Sequence, residues 1–134
     1  MGLVIDTSAV IQLERKQVAL PTALGNEPVI LPVIVWAELL IGVRLAKTPQ
    51  VAAQRRTQLE QLRTTMFFSE VTAEIAEHYA DIYAELRRAG KVIPQNDMMI
   101  AATARKSNYG VLVGANDEAH FRQVHGLRVE VLPT

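Results

Sequence analysis

Four carboxylates stand where they would have to be explained by more than solubility. Asp6 ends a short apolar run, GLVID, and Glu38 is the lone charge in the fifteen-residue stretch VILPVIVWAELLIGV. Asp97 stands second in NDMMIAATA, and Asp117 follows the apolar run VLV in GAND. Each of three has an ordinary use: Asp6 and Asp97 as helix caps, Asp117 as an Asx-turn residue. Glu38 resists such a use, because a carboxylate taken out of water needs a partner. Several acids brought to one place repel one another, and without a cation at least one holds a proton. A hard divalent cation resolves this, and Mg²⁺ and Mn²⁺ prefer oxygen ligands. A zinc site is not expected: there is no cysteine, and His78, His120 and His125 are scattered, with no pair at ligand spacing.

The surrounding elements decide whether the acids meet. GLVID reads as a strand, followed by a helix over TSAVIQLERK with Thr7 or Ser8 as N-cap. VALPTALGNEP is a punctuated connection with room for a helical turn, and PVIL is a second buried strand. Pro32 suits the first turn of a helix over 33–46. Thr48 and Pro49 start another helix, MFFSEV is a third strand, and the period of Ile75, Tyr79, Ile82, Tyr83 and Leu86 marks a helix from Thr72 to Ala89. NDMMIAATARKSN is a helix capped by Asn96 or Asp97 and closed by Asn108 or Gly110. GVLVGAND is a fourth strand running into a polar turn, EAHFRQV a short helix, and LRVEVLP a last strand. Strands and helices alternate, which predicts a parallel sheet covered by helices on both faces. In such sheets ligands bind beyond the carboxyl ends of the strands. Asp6 and Asp117 are placed there by topology, and Glu38 and Asp97 reach it if their helices begin or pass there.

The bulk composition is that of an ordinary globular chain: 134 residues, 49% hydrophobic and 21% charged. Repeats, linkers and low-complexity tracts are absent from the sequence, so residues 1–134 are read as one domain. Fourteen basic and fourteen acidic residues cancel, so no global field draws the chain to a polyanion or an anionic membrane. The apolar run at 29–43 is too short to span a bilayer, which needs about 20 residues, and the N-terminus lacks the basic region of a secretory signal. The expectation is a cytoplasmic protein with no membrane association, which a cysteine-free sequence suits.

Taken together, V-I-D-T-S, W-A-E-L-L-I-G, N-D-M-M-I-A-A-T-A and G-A-N-D-E-A-H-F, in that order and over nearly the whole chain, resemble the PIN-domain ribonucleases. In particular the set is similar to the VapC toxins of bacterial toxin–antitoxin pairs. The resemblance implies a three-layer α/β fold of PIN type, with a parallel sheet of four or five strands between helices and an acidic pocket at its carboxyl edge. It implies an endoribonuclease dependent on Mg²⁺ or Mn²⁺, homodimer formation and neutralisation by a VapB-like antitoxin. Asp6, Glu38, Asp97 and Asp117 match the family's acidic positions as catalytic residues, with Asp6, Asp97 and Asp117 as metal ligands. Thr7 or Ser8 matches the hydroxyl after the first Asp, and Asn116 accompanies Asp117. The family often has threonine before that Asn; here it is Ala115, which removes one hydroxyl that would orient a carboxylate.

For an RNA substrate, grip would come from local charge. Arg44, Lys47, Arg55, Arg56 and Arg63 face a single acid, Glu60, over residues 44–63, and Arg87, Arg88 and Lys91 form a second group. Aromatics are only 5% of residues, so contacts to backbone and shape are expected to outweigh base stacking. Other acidic folds fit less well. A haloacid-dehalogenase-like phosphatase needs a second Asp two residues after the first, where this chain has Ser8. A receiver domain needs an Asp at the end of the third strand, where only Glu70 stands. A dinucleotide fold needs a glycine-rich first turn, which DTSAV lacks. A PIN-like module that binds RNA or protein without cutting is the remaining alternative; it would usually have lost one or more of the acids.

Overall fold

The computed structural model describes residues 1–18 and 25–134. Five strands, β1 (Leu3–Ile5), β2 (Val29–Pro32), β3 (Phe67–Ser69), β4 (Gly110–Val113) and β5 (Val129–Val131), form one sheet in the order β3-β2-β1-β4-β5. Every pairing is parallel. The three central strands are apolar almost throughout, as parallel strands covered on both faces must be, and Leu3, Val4, Ile5, Leu31, Val111 and Val113 are wholly buried. Chain order runs outward from β1 in one direction and resumes beside β1 at β4. That reversal opens a crevice at the carboxyl ends of β1 and β4.

Six helices flank the sheet among the described residues: α1 (Thr7–Lys16), α2 (Val33–Arg44), α3 (Pro49–Arg63), α4 (Ala73–Arg88), α5 (Gln95–Ser107) and α6 (Ala119–Arg122). Helix α5 packs on β1, β4, α2 and α4. Its alanines let it lie close: Ile100, Ala101, Ala102 and Ala104 are fully buried. Buried Thr103 satisfies its hydroxyl by donating to the Met99 carbonyl at 2.9 Å. Helix α3 begins as expected, with Thr48 accepting from the Val51 amide and Pro49 in the first turn.

Several boundaries differ from expectation for identifiable reasons. The N-cap of α1 is Asp6, not Thr7 or Ser8, because the Asp6 carboxylate takes the Ser8 amide. Helix α5 starts at Gln95 behind Pro94, so neither Asn96 nor Asp97 caps it; both lie inside the first turn. Asn108 closes α5 in the left-handed region, at φ 56°. The segment EAHFRQV forms a single turn, α6, and β5 covers only the middle of LRVEVLP. Residues 19–24 of the connection VALPTALGNEP lie outside the described residues.

Candidate active site

Asp6 is the first residue beyond β1. Its amide still donates to the Leu112 carbonyl of β4 at 2.9 Å, so the backbone is held in strand geometry while the side chain turns to the crevice. One carboxylate oxygen, Oδ2, accepts from the Ser8 amide at 3.1 Å and from the Ser8 hydroxyl at 2.5 Å. Burial pushes the Asp6 carboxyl above its ordinary 3.8, the Ser8 and Thr7 donors oppose the rise, and nearby Asp97 adds to it. Asp6 therefore does both things considered for it: it caps a helix and presents a buried acid to another acid.

Ser8 and Gln12 join the first helix to the end of β4. The Ser8 hydroxyl accepts from the Gly114 amide at 3.0 Å, and Gln12 Oε1 accepts from the Ala115 amide at 2.8 Å. Gln12 Nε2 donates onward to the Pro133 carbonyl at 2.7 Å. The hydroxyl missing at Ala115 is thus accompanied by a glutamine brace from α1. The only hint of Gln12 in sequence is its position one turn after Ser8 on the same helix face.

Glu38 points from α2 toward the first turn of α1, where the Thr7 hydroxyl donates to its Oε1 at 2.8 Å. The lone acid of the apolar run is half-buried and lines a hollow with Thr7, Arg15 and Arg55. Asp97 is half-buried in the first turn of α5, where a negative charge suits the helix dipole. Its carboxylate Oδ2 meets His120 Nδ1 at 2.7 Å. His120 is not scattered in space, although it is in sequence. Asp117 is exposed and lines a different hollow, with Ser8, Gln12, Arg15 and Ala115. Asn116 is exposed at the turn, at φ 72°, and its side chain makes no hydrogen bond among the described residues.

The expected basic residues divide into two sets. Arg55 donates to the Gly42 carbonyl at 3.0 Å and approaches Glu14 at 3.6 Å, tying α3 to α2 and α1. Arg56 pairs with Glu60 at 3.0 Å and lies over Trp36, while Arg63 sits between Trp36 and Phe68. Arg87 covers Tyr83 and donates to its hydroxyl. Arg44, Lys47 and Arg88 are exposed and appear in no ion pair among the described residues.

The donor set is all oxygen around a buried acid whose nearest like charge opposes its ionisation. Among the described residues, no three His, Asp or Glu side chains are gathered closely enough to hold a metal by themselves. Two carboxylates completed by water suit Mg²⁺, which keeps several waters and takes few protein ligands. Asp6 and Asp97 fit that requirement; a site walled in by four carboxylates does not describe the arrangement.

A family model described as PIN domain matches residues 3–127. The chain is 31% identical over 133 residues to a ribonuclease VapC of Rickettsia bellii, covering 99% of this chain and 98% of that one. It superposes on VapBC2 from Rickettsia felis, solved bound to a promoter DNA fragment, with a TM-score of 0.86 at 22% identity, covering 99% of this chain and 100% of that one. VapBC-5 from Mycobacterium tuberculosis, a member of the VapBC family of toxin-antitoxin systems, gives a TM-score of 0.74 at 27% identity, over 99% and 98% of the two chains.

Proposed function

The chain belongs to the PIN domain family, in the company of the VapC ribonucleases, and from that premise we propose that it is the toxin of a toxin–antitoxin pair, an endoribonuclease that requires Mg²⁺ or Mn²⁺. The observation that carries the reading is the placement of two acids at the β1–β4 crevice: buried Asp6, with Asp97 near enough to oppose its ionisation; the Thr7 hydroxyl, next to Asp6 in sequence, donates to Glu38. Asp6 and Asp97 would hold the cation, and Asp117 is assigned to a supporting role at the rim with Asn116. A divalent cation at this place supplies positive charge that polarises a phosphodiester and acidifies water.

The chain's own groups do the rest. Ser8 fixes the Asp6 oxygen Oδ2, and Oδ1 is the oxygen assigned to the cation. Thr7 fixes Oε1 of Glu38, leaving Oε2 to orient a water and to take its proton as the water attacks phosphorus. The leaving 3′ oxygen gains a proton from solvent, so the products are a 5′-phosphate and a 3′-hydroxyl. The exposed cations Arg44, Lys47 and Arg88 are assigned to RNA phosphates, with Arg55, Arg56 and Arg87 contributing chiefly by shaping the surface. A VapB-like antitoxin, a homodimer and a single domain over 1–134 complete the proposal.

Cleavage of a labelled RNA with Mg²⁺, with Mn²⁺ and with EDTA tests the reading. The expected result is cleavage with either metal, none with EDTA, and loss of activity in Asp97→Asn. Metal-independent cleavage sinks it. RNA binding without cleavage would instead favour the non-cutting module, which fits the finding that no three His, Asp or Glu side chains are gathered among the described residues. Release of phosphate from small esters would favour the phosphatase.

A further inference from the structure

The last sequence block contributes to the acid pair through a residue that is not an acid. Helix α6 is one turn long, and its Phe121 is buried at 1% exposure, pinning the turn to the core. The neighbouring His120 is thereby carried to the start of α5, with Nδ1 at 2.7 Å from Asp97 Oδ2. The tautomer that pairs with an Asp97 carboxylate is the one with its proton on the facing Nδ1. Asp97 has no capping duty, since α5 is capped at Pro94 without a side-chain bond. Its contact with His120 is the only side-chain hydrogen bond of Asp97 among the described residues.

We propose that His120 is a positioning residue for metal binding: by holding Oδ2 of Asp97 it leaves Oδ1 as the oxygen offered to the divalent cation. This rests on the reading of Asp97 as a ligand. Outer hydrogen bonds of this kind orient ligating carboxylates, and their loss commonly weakens metal binding by about 10–100-fold. The half-exposed ring leaves room for substitution without opening the core. Asn places an N–H at the same number of bonds from the backbone as His Nδ1, and Ala removes it.

The test is calorimetric titration of the full chain with Mn²⁺, without RNA, for the wild type, His120→Ala, His120→Asn and Asp97→Asn. His120→Ala should weaken Mn²⁺ binding by about tenfold or more, His120→Asn should stay close to the wild type, and Asp97→Asn should remove most of the binding. Asp97→Asn weak with His120→Ala unchanged or tighter overturns the role of His120 alone. A His120→Asn variant as weak as His120→Ala also overturns it, by showing that the ring and not its donor matters. Asp97→Asn binding like the wild type overturns the ligand assignment, and the role of His120 with it.

Discussion

Asp6 is placed for binding at a cost to stability. Its burial opposes ionisation, and the Ser8 donors only partly compensate. The folded-state pKa is raised above the ordinary 3.8, so between those two values the folded protein holds a proton that the unfolded chain has lost. Stability of the metal-free protein therefore falls as pH rises through that window, and the loss is complete above the raised value. Asp6→Asn keeps an N-cap oxygen for Ser8 and removes the charge. It should abolish cleavage while stabilising the metal-free protein at neutral pH by roughly 1–3 kcal/mol, the scale of an imperfectly satisfied buried polar group. Urea unfolding in EDTA across the acid-to-neutral range checks both the gain and the loss of this part of the pH slope. Thr7→Val tests the other acid, since it keeps the shape and removes the donor to Glu38. Its expected effect is a loss of turnover of about 10–100-fold with RNA affinity unchanged, read from single-turnover rates against binding. At this scale the sequence announced Glu38, because one charge in fifteen apolar residues demands a partner. It was silent on how Thr7 and Ser8 divide the two acids between them, which depends on side-chain directions. His120 was passed over because separation along the chain says nothing about a turn folded back onto α5.

The elements meet at one tight junction. A Cβ at Gly114 would lie 2.9 Å from the Ser8 carbonyl oxygen, which is backbone on both sides and cannot yield cheaply. Gly114→Ala should push the end of β4 away from the first turn of α1 and cost about 1–3 kcal/mol in stability, within the range for overpacking. It should also weaken the Ser8–Gly114 bond that steadies Asp6, so activity is expected to fall further than stability alone explains. Denaturant midpoints and cleavage rates on the same preparation separate the two effects. Element types were legible because each follows from a strong local rule: apolar runs for buried strands, a 3.6-residue period for α4, Thr-Pro at the start of α3. Boundaries were less so where two rules compete. Asn96 and Asp97 are good capping residues, but Pro94 fixes the backbone just before Gln95 and starts the helix first. At α1, Asp6 outcompetes Thr7 and Ser8 because its carboxylate reaches the Ser8 amide while both hydroxyls are used elsewhere. The strand order itself needed long-range pairing, which alternation of elements suggests and does not specify.

At the scale of the whole molecule, a zero net charge leaves association to local patches, and α2 supplies the apolar one. Ala37, Ile41 and Leu45 recur at helical spacing on a face that the fold leaves open, with Ile41 at 57% and Leu45 at 78% exposure. The same helix turns Trp36 and Leu39 into the core and Glu38 toward α1, so its outward stripe is free of duties inside the monomer. No helix among the described residues is long and apolar enough to cross a membrane. A homodimer is part of the proposed function, and a second copy of the chain seated on this stripe makes a sharp prediction. Ile41→Glu with Leu45→Glu should leave the unfolding midpoint nearly unchanged, within about 0.5 kcal/mol for each exposed position. The same pair should shift the sedimentation coefficient from dimer to monomer. Because Glu38 faces away from the stripe, single-turnover cleavage by the monomer should persist if each copy holds a complete acid site. A double variant that still sediments as a dimer would move the self-association surface elsewhere, toward the exposed Phe67 and Phe68 on the β3 edge.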